Sequence, residues 1–331
     1  MTSSVSPPGA AATASATTPG PHARLGGFDW RRYIIYIGFV AVFLLFSILL
    51  RNDGFLSSNN LLNIGRQTAT ITVIAVAMTF VIASAEIDLS VGSVAGLASV
   101  CAAMAVTQWG LLAGIVAGLA VGALIGAING GLVSVLQIPS FLVTLGMLGI
   151  ASGVAMWITN SAPQPILSST FNLVFGGGNF GPVPGLIVWS LLAVALGAVV
   201  LAKTRFGRQV LATGGNRTAA EFTGVNTRAI KFKVLLLSGT VAGLAGMLYA
   251  GRLETGRFQW GAGDELSAIA AVILGGTSLF GGSGSVVGTM FGALLIGLIN
   301  NGLILAGLDT SQQQVVRGAI IILAVALARR K

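Results

Sequence analysis

The sequence contains very few charged residues. Only 8% of its 331 residues are Asp, Glu, Lys or Arg, whereas soluble domains carry about 25%. So few charges do not cover a water-facing surface, and the mean hydropathy of +0.90 agrees with this. The low charge content therefore excludes an ordinary soluble globular protein, and the 54% of hydrophobic residues predicts a membrane protein.

Cysteine and histidine are also nearly absent. The single cysteine, Cys101, lies in an apolar run, so a disulfide within the chain is impossible and a metal cage is not expected. The single histidine, His22, lies in a tail rich in Pro, Ala, Ser and Thr, and no chemical role is expected of it. We therefore predict no catalytic residues, no bound metal and no cofactor for this chain.

No Gly-Lys dipeptide occurs anywhere in the sequence, which excludes the phosphate-binding loop G-x-x-x-x-G-K-[ST]. The glycine-rich string at residues 281–288 lies between two apolar runs and outside any βαβ context, and we interpret it as a tight turn. The chain is thus not expected to be an enzyme. If ATP drives its activity, ATP-Mg must bind to a separate partner chain.

Apolar runs of about 20 residues recur along the chain, each long enough to cross ~30 Å of hydrocarbon as a helix. They predict an all-α integral membrane protein with about ten transmembrane helices. Residues 1–29 have low complexity and are predicted to be a disordered cytoplasmic tail, followed by a polytopic transmembrane domain at 30–331. The predicted spans are 33–50, 64–84, 90–107, 111–135, 140–159, 184–202, 231–251, 266–281, 285–305 and 314–328.

Lys and Arg are distributed unevenly between the two sides of the predicted bundle. If the N-terminus is cytoplasmic and every span crosses once, most of the 18 basic residues fall on the cytoplasmic side. This bias predicts a multi-pass membrane protein with both termini in the cytoplasm. It also accounts for the net charge of +9, so nucleic-acid binding is not expected. The cytoplasmic basic residues are Arg24, Arg31, Arg32, Lys203, Arg205, Arg208, Arg217, Arg228, Lys231, Lys233, Arg329, Arg330 and Lys331.

Two pairs of similar strings indicate an internal repeat. The string Gly126–Leu132 matches Gly297–Leu303, and Asp88-Leu89-Ser90 resembles Glu265-Leu266-Ser267. Five spans separate the members of each pair, so the two copies point in opposite directions. An inverted repeat of spans 2–5 and 7–10 is therefore predicted, with a pathway between the halves; the alternative is a chance match in a glycine-rich chain.

Glycines recur every four residues through the fourth predicted span and lie close to one helix face. In lipid, small residues let two helices pack backbone to backbone. The pattern therefore predicts a packing seam, and the alternative is the smooth wall of a pore. The residues are Gly114, Gly118, Gly122, Gly126 and Gly130.

Two acidic residues, Glu86 and Asp88, interrupt apolar sequence just before Ser90. Charges at membrane depth are costly and usually functional, so an element of a gate and a structural breakpoint are equally compatible with these residues. A capping role of Asp88 or Ser90 at the next helix is the alternative. Capping needs only one of these residues, so it leaves the second acid unexplained.

Segment 203–233 is predicted to be a cytoplasmic loop with seven basic residues and the single acid Glu221. Thr218 and Glu221 have the spacing of a capping box, and Gly224 fits a helix stop. A helix of one to two turns is therefore predicted on the inner face, with Phe222 available to contact a partner. The alternative is a positively charged anchor with an incidental helical turn.

Several strings together resemble the permeases of ribose-type monosaccharide ABC importers, over about residues 33–328. They are Glu86–Ser93, Phe206–Gln209 with Gly214–Asn216, Ala268–Leu279 and Gly297–Leu303. The resemblance implies a homodimer, two ATPase domains on the cytoplasmic face and a periplasmic solute-binding protein. It also implies that residues 216–223 form the helix that couples to the ATPase, which assigns this role to Asn216, Arg217, Thr218, Glu221 and Phe222.

The expected function is thus the import of a monosaccharide or related polar solute, such as ribose, inositol or rhamnose. The alternative, an ion-coupled secondary transporter, would need ion-coordinating groups near the membrane midplane, and the predicted spans place no carboxylate there. The polar candidates for lining a path are Asn129, Thr144, Asn300, Asn301, Gln312 and Arg317. Asn in a helix interface is equally often packing glue.

Overall fold

The computed structural model describes residues 34–328, so the predicted tail at 1–29 lies outside the described residues. Within this range the chain forms α-helices, a π-helix at Leu173–Gly177 and four strands of two residues each. The helices are α1 (Ile34–Leu49), α2 (Ser58–Ala83), α3 (Val91–Trp109), α4 (Leu111–Ser134), α5 (Ser140–Thr159), α6 (Ser169–Asn172), α7 (Gly185–Lys203), α8 (Arg205–Gly215), α9 (Arg217–Phe222), α10 (Thr227–Leu253), α11 (Asp264–Leu274), α12 (Val286–Leu305) and α13 (Thr310–Ala328). The strands are β1 (Gln164–Pro165), β2 (Asn179–Phe180), β3 (Val183–Pro184) and β4 (Thr255–Gly256), paired antiparallel as β1–β4 and β2–β3.

The predicted all-α membrane architecture is confirmed. Among residues 34–328, seven helices are long and apolar enough to cross a membrane. The total of about ten spans stays a prediction, because α1 is shorter than these helices and α13 reaches the end of the described residues. The seven helices are α2, α3, α4, α5, α7, α10 and α12.

The predicted eighth span at 266–281 is wrong in its extent. Helix α11 has 11 residues, which at 1.5 Å per residue gives about 16 Å, half the hydrocarbon thickness. Glycine ends this helix early: Gly276, Gly281 and Gly282 all adopt positive φ, a conformation that interrupts a helix. The chain on the other side of α11, at 254–263, is not a helix either, so this part of the fold is discontinuous.

The glycine seam predicted on α4 packs against α10. A Cβ atom on Gly122 would overlap the carbonyl oxygen of Gly239, and one on Gly239 would overlap the carbonyl oxygen of Gly122. Gly126 approaches the backbone of Leu235 in the same way. Backbone therefore meets backbone along this interface, which confirms the packing seam rather than the pore wall.

The two matching strings lie on helices with similar surroundings. The string at 126–132 lies on α4, which packs against α10, and the string at 297–303 lies on α12, which packs against α2. On α12, Gly292 lies against the backbone of Ala271 and Gly297 against Thr68. The inverted relation between the two halves stays a prediction.

Candidate functional site

Helix α9 is a short helix whose start differs from the predicted one. Its N-cap is Asn216, whose side-chain Oδ1 accepts a hydrogen bond from the Ala219 backbone N–H at 3.0 Å. Thr218 lies inside the helix, so the predicted capping box of Thr218 and Glu221 is wrong. Asn216 is in an extended conformation that lets its carboxamide reach the first turn, and asparagine is among the preferred N-cap residues.

Glu221 instead joins α9 to the start of α10. Its carboxylate accepts hydrogen bonds from the Thr227 hydroxyl and from Arg217 Nε, the latter at 2.9 Å. These two bonds, that of Thr227 foremost, hold the pKa of the Glu221 carboxyl below its usual value. Since Thr227 is the first residue of α10, this hydrogen bond links α9 to the start of that long helix.

Phe222 projects from the end of α9 with 88% of its surface exposed. The predicted helix stop is confirmed: Gly224 has a φ of 85°, and the Val225 backbone N–H donates to the Ala220 carbonyl. This closure fixes the end of α9 and the position of Phe222. Beside α9, Arg205 and Arg208 border a groove of the same surface together with Val225.

The C-terminal end of α8 lies against the end of α2. A Cβ atom on Gly214 would overlap the Ala83 carbonyl oxygen, and the Gly282 backbone N–H donates to that same oxygen at 3.0 Å. The segment that leads into α9 is therefore in direct backbone contact with the point where α2 ends. Glu86 and Asp88, the two acids recognised in the sequence, follow shortly after Ala83, the last residue of α2.

Residues 84–90 form a non-helical break between α2 and α3 in which Asp88 is 99% buried. Asp88 Oδ1 accepts from the Ser90 backbone N–H at 2.9 Å and from the Ser90 hydroxyl at 2.6 Å. Its Oδ2 accepts from the Ser238 hydroxyl of α10 at 2.7 Å. Asn129 of α4 donates to Ser90 Oγ at 3.0 Å, so one network joins the break to both helices of the glycine seam.

The backbone of the break is held by α5. The Ile87 N–H donates to Ser140 Oγ at 3.1 Å, and the Leu89 N–H donates to Thr144 Oγ1 at 3.0 Å. The capping alternative fails for Ser90, whose side chain makes no capping bond within the described part of the chain. Asp88 accepts a hydrogen bond from the N–H of Ser90, the residue that precedes α3, and this bond does not reach the first turn of the helix. The polar groups here hold an irregular segment in place inside the bundle.

Glu86, the acid that capping left unexplained, forms an ion pair with Lys231 of α10. Glu86 is 6% exposed and the Lys231 side chain 19%, so the pair is largely removed from water. Lys231 lies four residues after Thr227 and therefore on the same face of the first turns of α10. One short piece of α10 thus contacts both α9, through Thr227, and the break, through Lys231.

The remaining path candidates lie elsewhere. Asn301 is buried and exchanges two hydrogen bonds with Asn60 of α2, at 3.0 and 2.9 Å, while Asn300 is partly exposed. Gln312 caps α13: its Oε1 accepts the Asp309 N–H at 3.0 Å, and Asp309 Oδ1 accepts the Gln312 N–H at 2.8 Å. The side chain of Arg317 lies outside the described residues.

The structure thus brings together Asp88, Ser90, Asn129 and Thr144, with Glu86 close by. Their part in transport stays a prediction, since in the described conformation each of them is buried. Sequence reasoning missed the roles of Ser140, Lys231 and Ser238. The two serines lie in apolar helices with no distinguishing spacing, and Lys231 was counted only toward the charge bias.

The described chain is thus a bundle of membrane-length helices with a short, exposed, capped helix at one end. The sequence profile of the family described as branched-chain amino acid transport system / permease component matches residues 60–325, and the chain belongs to this family of ABC transporter permeases. Such a permease is a multi-pass membrane protein and a transport component, and ATP is hydrolysed in a separate subunit.

Individual relatives cover nearly the whole chain. YphD of Escherichia coli (strain K12), named a probable ABC transporter permease protein, is 44% identical over 89% of both chains. The ribose import permease protein RbsC of Bacillus subtilis (strain 168) is 40% identical over 89% of this chain and 92% of its own. The L-arabinose ABC transporter permease protein AraH of Azospirillum brasilense is 35% identical over 93% of both. No solved structure gives a significant match.

Proposed function

We propose that this chain is the permease of an importer that carries a monosaccharide, or a closely related polar solute, across the bacterial inner membrane. The observation that carries the proposal is α9, a capped helix that presents Phe222 to a partner and contacts the structured break before α3 through α10. The names of relatives that import ribose and L-arabinose support the choice of solute class.

The proposed assembly contains two copies of this chain, an ATPase on the α9 side and a solute-binding protein on the opposite side. ATP-Mg binds to the ATPase. The basic residues around α8 and α9 support a cytoplasmic position for this end of the bundle, with both termini in the cytoplasm. The exposed apolar surfaces of the membrane-length helices are covered by lipid.

In the proposed mechanism, ATP binding moves the ATPase surface that holds α9. Glu221 transmits the displacement to Thr227, and the first turns of α10 carry it to Lys231 and Glu86. The break before α3 has two arrangements of different energy, and α9 shifts the balance between them. A partner drives such a change only through contacts that differ between the two states, and the exposed Phe222 supplies such a contact.

The spans predicted from the sequence place no carboxylate near the membrane midplane. Asp88 lies in the break before α3 and Asp264 at the first residue of α11, yet both are buried within the described bundle. A buried carboxylate by itself would favour ion coupling. Membership of the ABC permease family, rather than the positions of the acids, is what favours ATP-driven import.

The first prediction concerns the energy source. The purified chain alone should neither bind nor hydrolyse ATP, because it lacks the phosphate-binding loop of ATPases. The measurement is phosphate release by the chain in detergent, compared with the chain mixed with its ATPase. ATP hydrolysis that co-elutes with the isolated chain would contradict the proposal that only the ATPase subunit hydrolyses ATP.

The second prediction concerns orientation. In a Cys101→Ala background, Thr218→Cys on α9 should be protected from an impermeant thiol reagent added to the periplasmic side. Ser169→Cys, at the opposite end of the bundle, should react. Both positions are exposed in the described structure, so a difference in labelling reports sidedness. Labelling of Thr218→Cys alone would invert the proposed orientation.

A further inference from the structure

Between α10 and α11 the chain passes alongside α3 without forming a helix. It starts at β4, where Thr255 pairs with Pro165. Arg257 then exchanges hydrogen bonds with Ser99 of α3: its N–H donates to Ser99 Oγ at 3.2 Å, and Ser99 Oγ donates to its carbonyl at 3.1 Å. Further on, the Gly261 carbonyl lies against Gly92 near the start of α3.

These contacts set the depth of the segment in the membrane. Ser99 is the ninth of the 19 residues of α3, so Arg257 lies level with the middle of a membrane-length helix. Ser99 and Gly92 are seven residues apart, which is about 10 Å along the helix axis. Gly92 and Gly96 leave room for the incoming backbone, since a Cβ atom on either would overlap carbonyl oxygens of the segment.

Polar side chains on this segment remain accessible on the surface of the protomer. Gln259 is exposed, and Arg257, Trp260 and Glu265 are partly exposed. Charged and amide groups at membrane depth face protein or water rather than lipid, because the bilayer does not satisfy their hydrogen bonds. The accessible side of this segment therefore does not face lipid in the assembled transporter.

The groups on this surface are held in place by the protein. The Trp260 indole N–H donates to the Thr255 carbonyl at 2.8 Å, and the Arg257 guanidinium lies 5.6 Å from the Trp260 ring centre. The Glu265 carboxylate accepts the Gly263 N–H at 3.2 Å. The buried Nε of Arg257 has no hydrogen-bond partner among the described residues. Loop and side chains thus present a fixed surface.

The chemistry of this surface matches a neutral polyhydroxylated molecule. A guanidinium and an amide donate to sugar hydroxyls, and a carboxylate and the amide oxygen accept from them. Positive and negative charge occur side by side, which disfavours a strongly ionic ligand. Because the surface is open rather than enclosed, it holds such a molecule only weakly, as release across a membrane requires.

We propose that the accessible side of residues 257–266, which include the end of this non-helical segment and the start of α11, is a contact site for the transported monosaccharide within the permease. This inference rests on the proposed import function and adds the location of the solute to it. Gln259 is the residue best suited to test it, because its side chain is exposed and its replacement removes no contact that holds the segment.

The first test uses a cysteine at Gln259 in a Cys101→Ala background, in the complete transporter with its ATPase and binding protein. A positively charged, impermeant thiol reagent should label Gln259→Cys at least about tenfold faster than Leu196→Cys, since the reactive thiolate forms in water and not in lipid. Leu196 is a matched control: it lies near the middle of α7 and is 59% exposed.

D-Ribose, D-xylose or L-arabinose, whichever the transporter imports, should lower the labelling rate of Gln259→Cys at least about twofold as it occupies the site. Labelling that matches Leu196→Cys, or that no imported sugar slows, would overturn the contact site. In either case, sugar import by the wild-type complex would still support the proposed function, because import does not depend on the labelling result.

The second test measures import. Gln259→Ala should lower the maximal import rate about three- to tenfold, the effect expected from the loss of one hydrogen bond to the solute. Gln108→Ala, an exposed glutamine at the far end of α3, should leave import unchanged. Wild-type import by Gln259→Ala would overturn the inference, whereas failure of the wild-type complex to import any monosaccharide or related polar solute, rhamnose and inositol included, would overturn the proposed function.

Discussion

Replacing Phe222 by alanine should abolish solute import and co-purification of the ATPase together, while the chain still inserts into the membrane. Phe222 is 88% exposed and makes no contribution to the packed core, so its loss leaves the fold intact. An aromatic anchor buried in an interface typically contributes about 2 kcal/mol or more. At ~1.4 kcal/mol per tenfold, docking of the ATPase should weaken at least about tenfold.

Three further variants separate contact from charge and from helix stability. Arg228→Ala removes a nearby charge and should change little. Asn216→Ala removes the cap of α9 and should give a partial loss, since a cap contributes about 1 kcal/mol. Leu167→Ala is matched in exposure, at 87%, but lies at the other end of the bundle, so ATPase co-purification should not change.

Glu221→Ala should also give a partial loss, because it removes the link from α9 to Thr227. Its exposed pair with Arg217 contributes little by itself. Wild-type import and intact ATPase binding by Phe222→Ala would show that this segment only anchors the chain, and the coupling role of α9 would be wrong.

The second large effect is expected from Lys231→Ala. This change leaves the Glu86 carboxylate, 6% exposed, without its partner inside the bundle. Removing one member of a buried ion pair typically costs 3–5 kcal/mol; because Lys231 is partly exposed, we expect about 2–3 kcal/mol. The measurement is the thermal unfolding temperature of the purified chain in detergent, which should fall by several degrees.

A double variant isolates the ion pair. Glu86→Gln with Lys231→Met removes both charges and keeps the shapes similar, so it should be more stable than Lys231→Ala. The double-mutant cycle compares this double variant with Glu86→Gln alone and Lys231→Met alone. If both residues act through the same contact, the destabilisations of the two single variants will not add. The proposed mechanism also expects the double variant to fold and yet couple ATP hydrolysis poorly to import. An unfolding temperature of Lys231→Ala equal to that of the wild type would show that the ion pair contributes no stability.

Helix α9 shows how much of a site a local pattern predicts. A polar segment with a single large apolar residue pointed to a short exposed helix ending at Gly224, and both the helix and the exposure of Phe222 are confirmed. The start of the helix was wrong, because Asn216 and Thr218 are both competent capping residues. Their backbone conformation decides which of them caps, since Asn216 is extended and Thr218 is already helical.

The break before α3 shows the opposite case. Glu86 and Asp88 stand out in the sequence because charge is rare there, so their position was recognised. Their partners Lys231 and Ser238 are distant in the chain, and serine in an apolar helix carries no local signal. Only the packing of α10 against α3 and α4 brings these groups within hydrogen-bonding distance.

The sequence by itself determined the class of this protein. Because charge is sparse and apolar runs recur, the chain crosses a bilayer, where helices satisfy the hydrogen bonds of the backbone. The four-residue glycine spacing indicates the face along which two of these helices meet. The tertiary structure decided where the polar chain lies at membrane depth. The segment at 255–263 looks like an ordinary loop in sequence, and it crosses beside α3 because Gly92, Gly96 and Ser99 offer space and hydrogen bonds on a helix that is remote in the chain. Local sequence sets hydropathy and helix ends, whereas the partners of an irregular segment exist only once distant helices have packed.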